Sequence, residues 1–317
     1  MSPRSLAVCS LLPVSALVLA GCSADAADDN ADGGTTETVT VQAENGEIEV
    51  PQTPETVVVF DNTQLDILDA LDIEVAGIPS ADAVPAFFSD YADNDAVANV
   101  GSLFDPDFEA VAELDPDLVI SGGRSSDATG ELAEIAPTID MSTETGNTLG
   151  SLADRALAYG EIFDRTGEAE QLVTELEERT ADLGEQVAEA GDGLVVITSS
   201  GEISAYGPGS RYGYFYDDLG LEPAVEVSSE EASHGEVLSF EALAEADPDW
   251  LYVIDRDTAI GEDGASPAEQ VLDNDLVAST TAAQEDQILY LNSEEVYLVG
   301  GIQAHLNTLD DIDAALS

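Results

Sequence analysis

A ten-residue segment occurs twice in this chain, and the repeat limits the possible folds more than any other pattern in the sequence. Residues 108–117 read FEAVAELDPD and residues 240–249 read FEALAEADPD, with eight of ten positions identical at a spacing of 132 residues. Each copy predicts a short helix that ends at Asp-Pro, because the residue before proline is biased away from helical geometry. An apolar strand follows each copy. The repeat therefore predicts the same helix–strand unit in both halves of the chain.

Short apolar strands alternate with helical patterns in both halves. In the first half we predict strands at 57–60, 74–78 and 118–121 and helices at 64–71 and 108–114. In the second half we predict a strand at 193–199, a helix that opens near Ser210, a helix at 240–246 and a strand at 250–255. Such alternation is typical of βα units around a mostly parallel sheet. The predicted fold class is therefore α/β, with two Rossmann-like lobes.

A long helical pattern lies between the two halves. Residues 168–190 contain no proline and no glycine before Gly184, and their apolar residues recur at helical spacing. We predict one long rigid helix over 167–190 that connects a first lobe at 47–166 to a second lobe at 191–317. A surface helix within one lobe is the alternative, because the sequence does not say what the apolar stripe faces.

The N-terminal residues 1–21 predict an export signal. Arg4 precedes an apolar run at 6–19 that is too short and too early to be a membrane-spanning helix of the mature protein. The run ends in Leu-Ala-Gly-Cys22, which resembles the lipobox of prokaryotic lipoproteins; an ordinary signal peptide with a chance cysteine is the alternative. We expect Cys22 to be lipidated. Because Cys9 leaves with the signal, neither a disulfide framework nor a thiolate metal site is expected.

Residues 22–46 predict an acidic tether between the anchor and the folded unit. The segment from residue 23 onward is mostly Asp, Glu, Thr, Ala and Gly and has almost nothing to bury. We therefore expect it to be solvated and without regular structure.

The charge balance is extreme. Asp and Glu total 67, Lys and Arg total 7 and none of these is lysine, so the formal net charge is −60. Nucleic acid is excluded as a partner, because phosphate recognition needs a basic face. The carboxylate-rich surface favours a protein that stays soluble in concentrated salt, where the Debye length is about 3 Å at 1 M. Because positive residues are scarce, the position of each arginine is informative.

Three arginines follow or open predicted turns. Arg124 follows the strand after the first repeat copy, Arg256 follows the strand after the second, and Arg211 lies near the helix that opens at Ser210. In open α/β sheets ligands bind beyond the carboxyl ends of strands, so Arg124 and Arg256 are expected on opposite walls of a cleft. Ion pairing is the alternative for all three, and it explains the arginines in acidic helical stretches, Arg155, Arg165 and Arg179.

Six segments in a fixed order carry a resemblance to a known family. They are GGR at 122–124, GSRYG at 209–213, HG at 234–235, LSFE at 238–241, VIDRD at 253–257 and YLVGG at 297–301. From about residue 45 to the C-terminus the chain resembles the catecholate-siderophore-binding lipoproteins of bacterial iron ABC importers. The resemblance implies a class III periplasmic-binding-protein architecture, in which a rigid helix joins two lobes. It also implies three cleft arginines that clasp catecholates, here Arg124, Arg211 and Arg256.

The same resemblance implies roles for four further residues. Some family members ligate iron through a histidine and a tyrosine, here His234 and Tyr297. A glutamate on each lobe commonly docks into a basic pocket of the permease, and the repeat offers Glu109 and Glu241 at equivalent places.

The chemistry of the residues agrees with this assignment. A ferric ion bound by three catecholates carries three negative charges on planar ligands, and guanidinium groups offer forked donors and stacking on aromatic faces. A siderophore that supplies four oxygens leaves two iron positions, which imidazole or phenolate donors such as His234 and Tyr297 can fill. A loop histidine and a packed aromatic residue are the alternatives. His305, in the closing helical pattern, is expected to be structural.

The sequence thus predicts a monomeric binding protein rather than an enzyme. It is expected to hold Fe(III) only as part of a siderophore complex, to have no intrinsic cofactor, and to deliver its ligand to an ABC permease and its ATPase at the membrane. Haem, a corrinoid or a hydroxamate siderophore is the alternative ligand. A siderophore hydrolase is the enzyme alternative, with Ser125, Ser126 or Ser210 as nucleophile, but the sequence shows no partnered base for these serines.

Overall fold

The computed structural model describes residues 37–79, 84–92, 94–227, 235–262 and 264–317. The strands are β1 Thr38–Ala43, β2 Gly46–Pro51, β3 Val57–Val59, β4 Gly77–Ile78, β5 Ala98–Asn99, β6 Leu118–Ser121, β7 Thr138–Asp140, β8 Asp192–Ser199, β9 Glu202–Tyr206, β10 Glu222–Pro223, β11 Glu236–Leu238, β12 Trp250–Asp255 and β13 Ile288–Tyr290. The predicted export signal, Cys22 and most of the predicted tether lie outside the described residues.

Twelve α-helices lie among the described residues. They are α1 Asn62–Ala70, α2 Ser89–Ala92, α3 Phe108–Glu113, α4 Thr129–Leu132, α5 Thr148–Ile162, α6 Thr166–Glu189, α7 Tyr214–Asp217, α8 Phe240–Ala246, α9 Arg256–Ala259, α10 Ala268–Leu272, α11 Thr281–Gln284 and α12 Ile302–Leu316. A 3-10 helix at Gly123–Ala128 and a π-helix at Glu295–Val299 contribute to the site. Within the described ranges no helix has the length and hydropathy to span a bilayer.

The strands form two large sheets of matching order. The first sheet is all parallel in the order β5-β4-β3-β6-β7, and the second follows the order β11-β9-β8-β12-β13. In the second sheet β8, β12 and β13 are parallel, whereas β9 and β11 run antiparallel to their neighbours. Helices follow most of the parallel strands, as the alternating sequence pattern predicts. The chain therefore forms two α/β lobes.

The two repeat copies form equivalent elements. Helix α3 leads into β6, α8 leads into β12, and β6 and β12 each pair with the central strand of their sheet. Asp107 caps α3 and Ser239 caps α8, because each side chain accepts a backbone N–H of the first helical turn. The aspartate before each proline has a left-handed φ, 48° at Asp115 and 47° at Asp247, so both helices stop where the sequence predicts.

Helix α6 is the long helix that the sequence predicts. It has 24 residues and leads from α5 of the first lobe to β8 of the second. Its buried residues include Val173, Leu176 and Leu183. They belong to one continuous core that also contains residues of both sheets, for example Ile120 and Ile254. The apolar stripe thus faces a core shared by the two lobes, and the helix connects them.

The prediction of a tether without regular structure is wrong for the last part of that segment. Residues 38–51 form the antiparallel hairpin of β1 and β2, in which Val41 pairs with Ile48. Val41 and Val50 are buried in the main core, so the alternating pattern of the segment is that of a half-buried strand. Glu44 and Asn45 form the two-residue turn, and Gly46, which pairs with Ala43 at the start of β2, has a φ of 114°. The folded unit therefore begins before the predicted boundary at residue 47.

The C-terminal helix α12 packs on the first lobe. It contacts α1 and α6, and its N-cap, Gly301, has no side chain to satisfy the first backbone N–H groups. Asp66 of α1 takes this role, because its carboxylate accepts Gln303 N at 2.9 Å and Ala304 N at 3.1 Å. This contact fixes the chain that precedes α12, where Tyr297 lies, relative to the first lobe.

Candidate ligand-binding cleft

A cleft of about 610 Å³ lies between the two lobes. Its walls include Asp61 and Arg124 from the first lobe, Arg211 and Arg256 from the second, and Tyr297 from the π-helix. These residues follow strands β3, β6 and β12 or lie in connections between strands, as expected for a site at the carboxyl ends of α/β sheets. The volume is that of a small-molecule site, which typically has about 300–1,000 Å³.

Three guanidinium groups converge on Tyr297. Their central carbons lie 5.8 Å (Arg124), 4.9 Å (Arg211) and 5.9 Å (Arg256) from the centroid of its ring. Arg124 Nη2 and Arg211 Nη2 both donate to the Tyr297 main-chain oxygen, at 3.4 Å and 2.6 Å. Arg256 Nε donates to Tyr297 Oη at 3.0 Å, and this hydrogen bond is the main cause that raises the pKa of Arg256. The structure thus brings the three predicted arginines together around one tyrosine.

Two of these cations lack an acidic partner within ion-pair distance in the described part of the chain. Arg256 contacts Asp257 at 3.4 Å, whereas Arg124 and Arg211 make no such pair with any described carboxylate. In contrast, Arg155 pairs with Glu44 and Arg179 with Asp310, as expected for arginines in acidic helical stretches. In a chain with a formal net charge of −60, the three converging guanidinium groups form a local cationic cluster in a cleft that Asp61, Glu144 and Glu295 also line.

Steric crowding explains why two glycines precede Arg124. Gly123 has a φ of 50°, and a β-carbon there would lie 2.9 Å from Asp61 Oδ2. At Gly122 the closest approach would be 3.3 Å, to the Asp61 carboxyl carbon. Asp61 is buried beneath this turn, caps α1 by accepting Gln64 N, and has a raised pKa because it is desolvated. A side chain at 123 would therefore collide with Asp61, and one at 122 would be crowded against it.

Arg211 is held by a compact turn that contacts the first lobe. Gly213 N donates to Ser210 O at 2.9 Å, so the predicted helix at Ser210 is a turn, and regular helix α7 begins only at Tyr214. Thr148 of the first lobe places its hydroxyl 3.5 Å from the Arg211 main-chain oxygen. The guanidinium carbon lies 5.2 Å from the ring centroid of Tyr212. Arg211 is therefore positioned by both lobes and by two aromatic rings.

The π-helix that carries Tyr297 is fixed from the first lobe. Thr63 Oγ1 donates to Val299 O at 2.7 Å and Asn62 Nδ2 donates to Leu298 O at 3.2 Å. Gly300, with a φ of 65°, ends the π-helix in a left-handed conformation. Tyr297 is half-buried, so its ring packs among the arginines while one side faces the cleft.

Aromatic and hydroxyl side chains complete the cleft. Tyr206 and Tyr212 pack edge to face with centroids 4.9 Å apart, and Tyr214 lies 4.8 Å from the His305 ring. The lining hydroxyl residues include Ser142, Ser199, Ser204 and Thr148. Sequence reasoning did not select Asp61 or Ser199, although both stand at or just after the carboxyl end of a strand, the position that defines such sites.

His305 has a structural environment, as predicted. Its ring is buried, its Nδ1 lies 2.7 Å from Gly301 O, and burial lowers its pKa to about 4. Because a carbonyl only accepts, Nδ1 carries the proton and the neutral ring leaves Nε2 without one.

The remaining residues that the sequence singles out either do not line the cleft or lie outside the described residues. His234 lies outside the described residues. Glu109 and Glu241 are exposed in the first turns of α3 and α8 and do not line the cleft. Ser125 and Ser126 donate to main-chain oxygens of their own turn, and Ser210 accepts Tyr212 N.

Comparison with known proteins gives one family. Residues 57–295 match the profile described as periplasmic binding protein. The chain is 37% identical over 303 residues to the petrobactin-binding protein YclQ of Bacillus subtilis (strain 168), covering 94% of both chains. It is 29% identical over 312 residues to the ferric-anguibactin-binding protein FatB of Vibrio anguillarum, covering 96% of this chain and 94% of that protein.

Solved structures agree with the fold. The crystal structure of YclQ aligns with a TM-score of 0.83 at 36% identity, covering 89% of this chain and 99% of that one. The periplasmic catecholate-siderophore binding protein VctP of Vibrio cholerae aligns with a TM-score of 0.82 at 32% identity, covering 88% and 100%. These similarities confirm the predicted class III architecture of two α/β lobes joined by a long helix.

Proposed function

The chain belongs to the periplasmic binding protein family, and we propose that it captures ferric catecholate siderophores in the cleft between its lobes. Members of this family bind solutes and are not enzymes. The observation that carries the proposal is the convergence of Arg124, Arg211 and Arg256 around Tyr297. The names of the relatives YclQ and VctP, a petrobactin-binding and a catecholate-siderophore-binding protein, support the same ligand class.

The charge of the ligand matches the charge of the three clustered guanidinium groups. A ferric tris-catecholate carries three negative charges, and the three guanidinium groups offer three positive ones on planar, forked donors. Haem, corrinoids and hydroxamate siderophores carry less negative charge at the metal-bound ligand and give unpaired arginines less to bind. Tyr206, Tyr212 and Tyr297 line the cleft, so aromatic side chains border the space beside the arginines.

Iron ligation by the protein is proposed for tetradentate ligands. A siderophore with four donor oxygens leaves two positions on Fe(III), which Tyr297 and His234 would fill. Tyr297 supports this role because its phenol oxygen, to which Arg256 Nε donates at 3.0 Å, belongs to a residue of the cleft wall and is an oxygen donor of the kind that binds Fe(III). The iron is cargo within the siderophore complex, and the protein carries no cofactor of its own.

The protein would deliver the bound siderophore to a permease at the membrane. After removal of residues 1–21, the lipidated Cys22 would anchor a monomeric protein outside the cytoplasm, with residues 22–36 as the acidic tether. Glu109 and Glu241 would dock into basic pockets of an ABC permease that works with its ATPase. The docking role is supported by the equivalent positions of the two glutamates, because both are exposed and both are the second residue of a repeat helix. The acidic surface would keep the protein soluble in high salt.

A fluorescence titration in high salt tests the ligand class. Ferric tris-catecholate, a ferric tetradentate catecholate, haem and ferrichrome are added separately, and quenching of Trp250 is followed. We expect the two catecholate complexes to quench at low concentration, whereas haem and ferrichrome leave the emission unchanged. Equal quenching by all four ligands would remove the catecholate assignment.

A further inference from the structure

Two apolar side chains are far more exposed than other large ones in the described residues. Phe104 is 76% exposed and Val237 is 69% exposed, whereas the next, Ile260, is 39% exposed. Phe104 precedes Glu109 by five residues and Val237 precedes Glu241 by four, so the two positions differ by one residue in the register of the repeat. Each exposed side chain nevertheless stands shortly before one copy of the repeat.

The fold places these two positions at matching edges. Phe104 follows β5, the outer strand of the first sheet, and Val237 lies in β11, the outer strand of the second. The following helix leads in each lobe into a strand that ends at a cleft arginine, Arg124 or Arg256. Because such a helix runs antiparallel to the strand after it, its first turn lies at the carboxyl end of the sheet. Both apolar residues thus lie on the cleft side of their lobe.

The turn that carries Phe104 is built to expose it. Ser102 N donates to Asp105 O at 3.0 Å, and Ser102 Oγ accepts the N–H groups of Phe104 and Asp105. Gly101, with a φ of 102°, closes the turn where a β-carbon would overlap the Asp107 backbone. Leu103 is buried beneath it. The ordered turn thus buries Leu103 and holds Phe104 in solvent at a defined position.

Val237 is held by strand pairing. It is opposite Ser204 of β9, and cross-strand partners have side chains on the same face of the sheet. Ser204 lines the cleft, so Val237 lies at its rim although it is not a lining residue itself. Glu241 follows at the first turn of α8.

We propose that Phe104 and Val237 are the apolar anchors of a two-point docking surface for a permease with two related subunits. The proposal rests on the proposed function and extends it from the glutamates to the residues beside them. In each lobe an exposed apolar side chain stands within five positions along the chain of exposed carboxylates, Asp105 and Glu109 or Glu241, and this pattern complements an apolar pocket with a basic rim. An anionic membrane surface or a second copy of this chain would instead be repelled by the acidic surface.

Variants of the full-length lipoprotein test the proposal in cells. We compare the double variant Phe104→Ser/Val237→Ser with Leu157→Ser, which alters an exposed apolar residue on α5. The double variant is expected to lower uptake of radioactive iron from a ferric catecholate by on the order of tenfold. Its affinity for the same complex should equal that of the wild type, and Leu157→Ser should change neither quantity. Normal uptake, or an equal loss of affinity, would overturn the anchor role.

Cross-linking identifies the occupant. A photoreactive phenylalanine analogue at 104 or 237 is expected to cross-link to the permease polypeptides, identified by mass spectrometry, and the same analogue at 157 is not. Cross-links to a second copy of the chain or to lipid would overturn the proposal. If the wild-type protein binds no ferric catecholate, the proposed ligand class fails, and that result is separate from the cross-linking outcome.

Discussion

Arg211 is bound to the main chain of Tyr297, since its Nη2 donates to the Tyr297 carbonyl oxygen at 2.6 Å while its guanidinium carbon lies 4.9 Å from the ring centroid. Arg211 comes from the second lobe, and the π-helix of Tyr297 is hydrogen-bonded to α1 of the first. One carbonyl therefore orients an arginine across the cleft. A guanidinium has five N–H donors, so most donors of Arg211 remain for a ligand.

The substitution Tyr297→Phe separates the role of the main-chain oxygen from the role of the phenol oxygen. The substitution keeps the carbonyl oxygen that binds Arg124 and Arg211, keeps the ring face, and removes only the oxygen that accepts from Arg256 Nε. We expect the affinity for a ferric tris-catecholate to fall by less than about tenfold, the value of one hydrogen bond. With a ferric tetradentate catecholate, the change in the visible charge-transfer band on binding should disappear. An unchanged band would mean that the phenol does not touch the metal.

Gly123→Ala should disturb the cleft through Asp61. Alanine at a φ of 50° costs about 1–2 kcal/mol, and its β-carbon would press on Asp61 Oδ2. We expect a lower melting temperature and weaker binding of ferric tris-catecholate, because the turn that carries Arg124 must shift. Gly130→Ala is the matched control, since Gly130 lies nearby in α4 and a β-carbon there meets nothing within 4 Å. Equal behaviour of the two variants would contradict the steric account of the glycine pair.

His305 predicts a defined pH dependence of stability. Its pKa is lowered from 6.5 to about 4 in the folded protein, so the unfolded chain binds more protons between these values and stability rises with pH across this window. His305→Asn keeps a donor near Gly301 O but does not titrate. The difference in unfolding free energy, wild type minus variant, should grow by about 3 kcal/mol from pH 4 to pH 7 in urea titrations at constant salt. A constant difference would contradict a buried neutral imidazole.

Local patterns were sufficient to predict much of the fold. Helix α8 and strand β12 have the predicted bounds, and α6 begins within a residue or two of its predicted start. The Asp-Pro stops at 115–116 and 247–248 act through backbone sterics alone, so they are readable from sequence. The β1–β2 hairpin is hard to predict because the acidic composition of the segment is typical of a solvated tether, whereas its alternating apolar residues are few.

The site was predictable in its residues but not in its geometry. The scarcity of positive residues makes every arginine informative, the strand ends predict Arg124 and Arg256 on the walls of a cleft, and the family resemblance adds Arg211. Their common partner is Tyr297, whose carbonyl oxygen accepts from Arg124 and Arg211 and whose phenol oxygen accepts from Arg256. Its position depends on tertiary contacts of Asn62, Thr63 and Asp66 with the chain around α12, more than 200 positions away. Main-chain oxygens carry no sequence signal, so such a contact appears only in the folded protein.

The affinities of Arg211→Ala and Arg179→Ala for one ferric tris-catecholate give the most direct test of the arginine cluster. Arg179 pairs with Asp310 at the surface, so its loss should change the affinity by less than about threefold. Arg211 lies in the cleft without a carboxylate partner among the described residues, and loss of its charged hydrogen bonds should weaken binding on the order of 100-fold. Similar affinities of the two variants would contradict the claim that converging guanidinium groups hold the ligand.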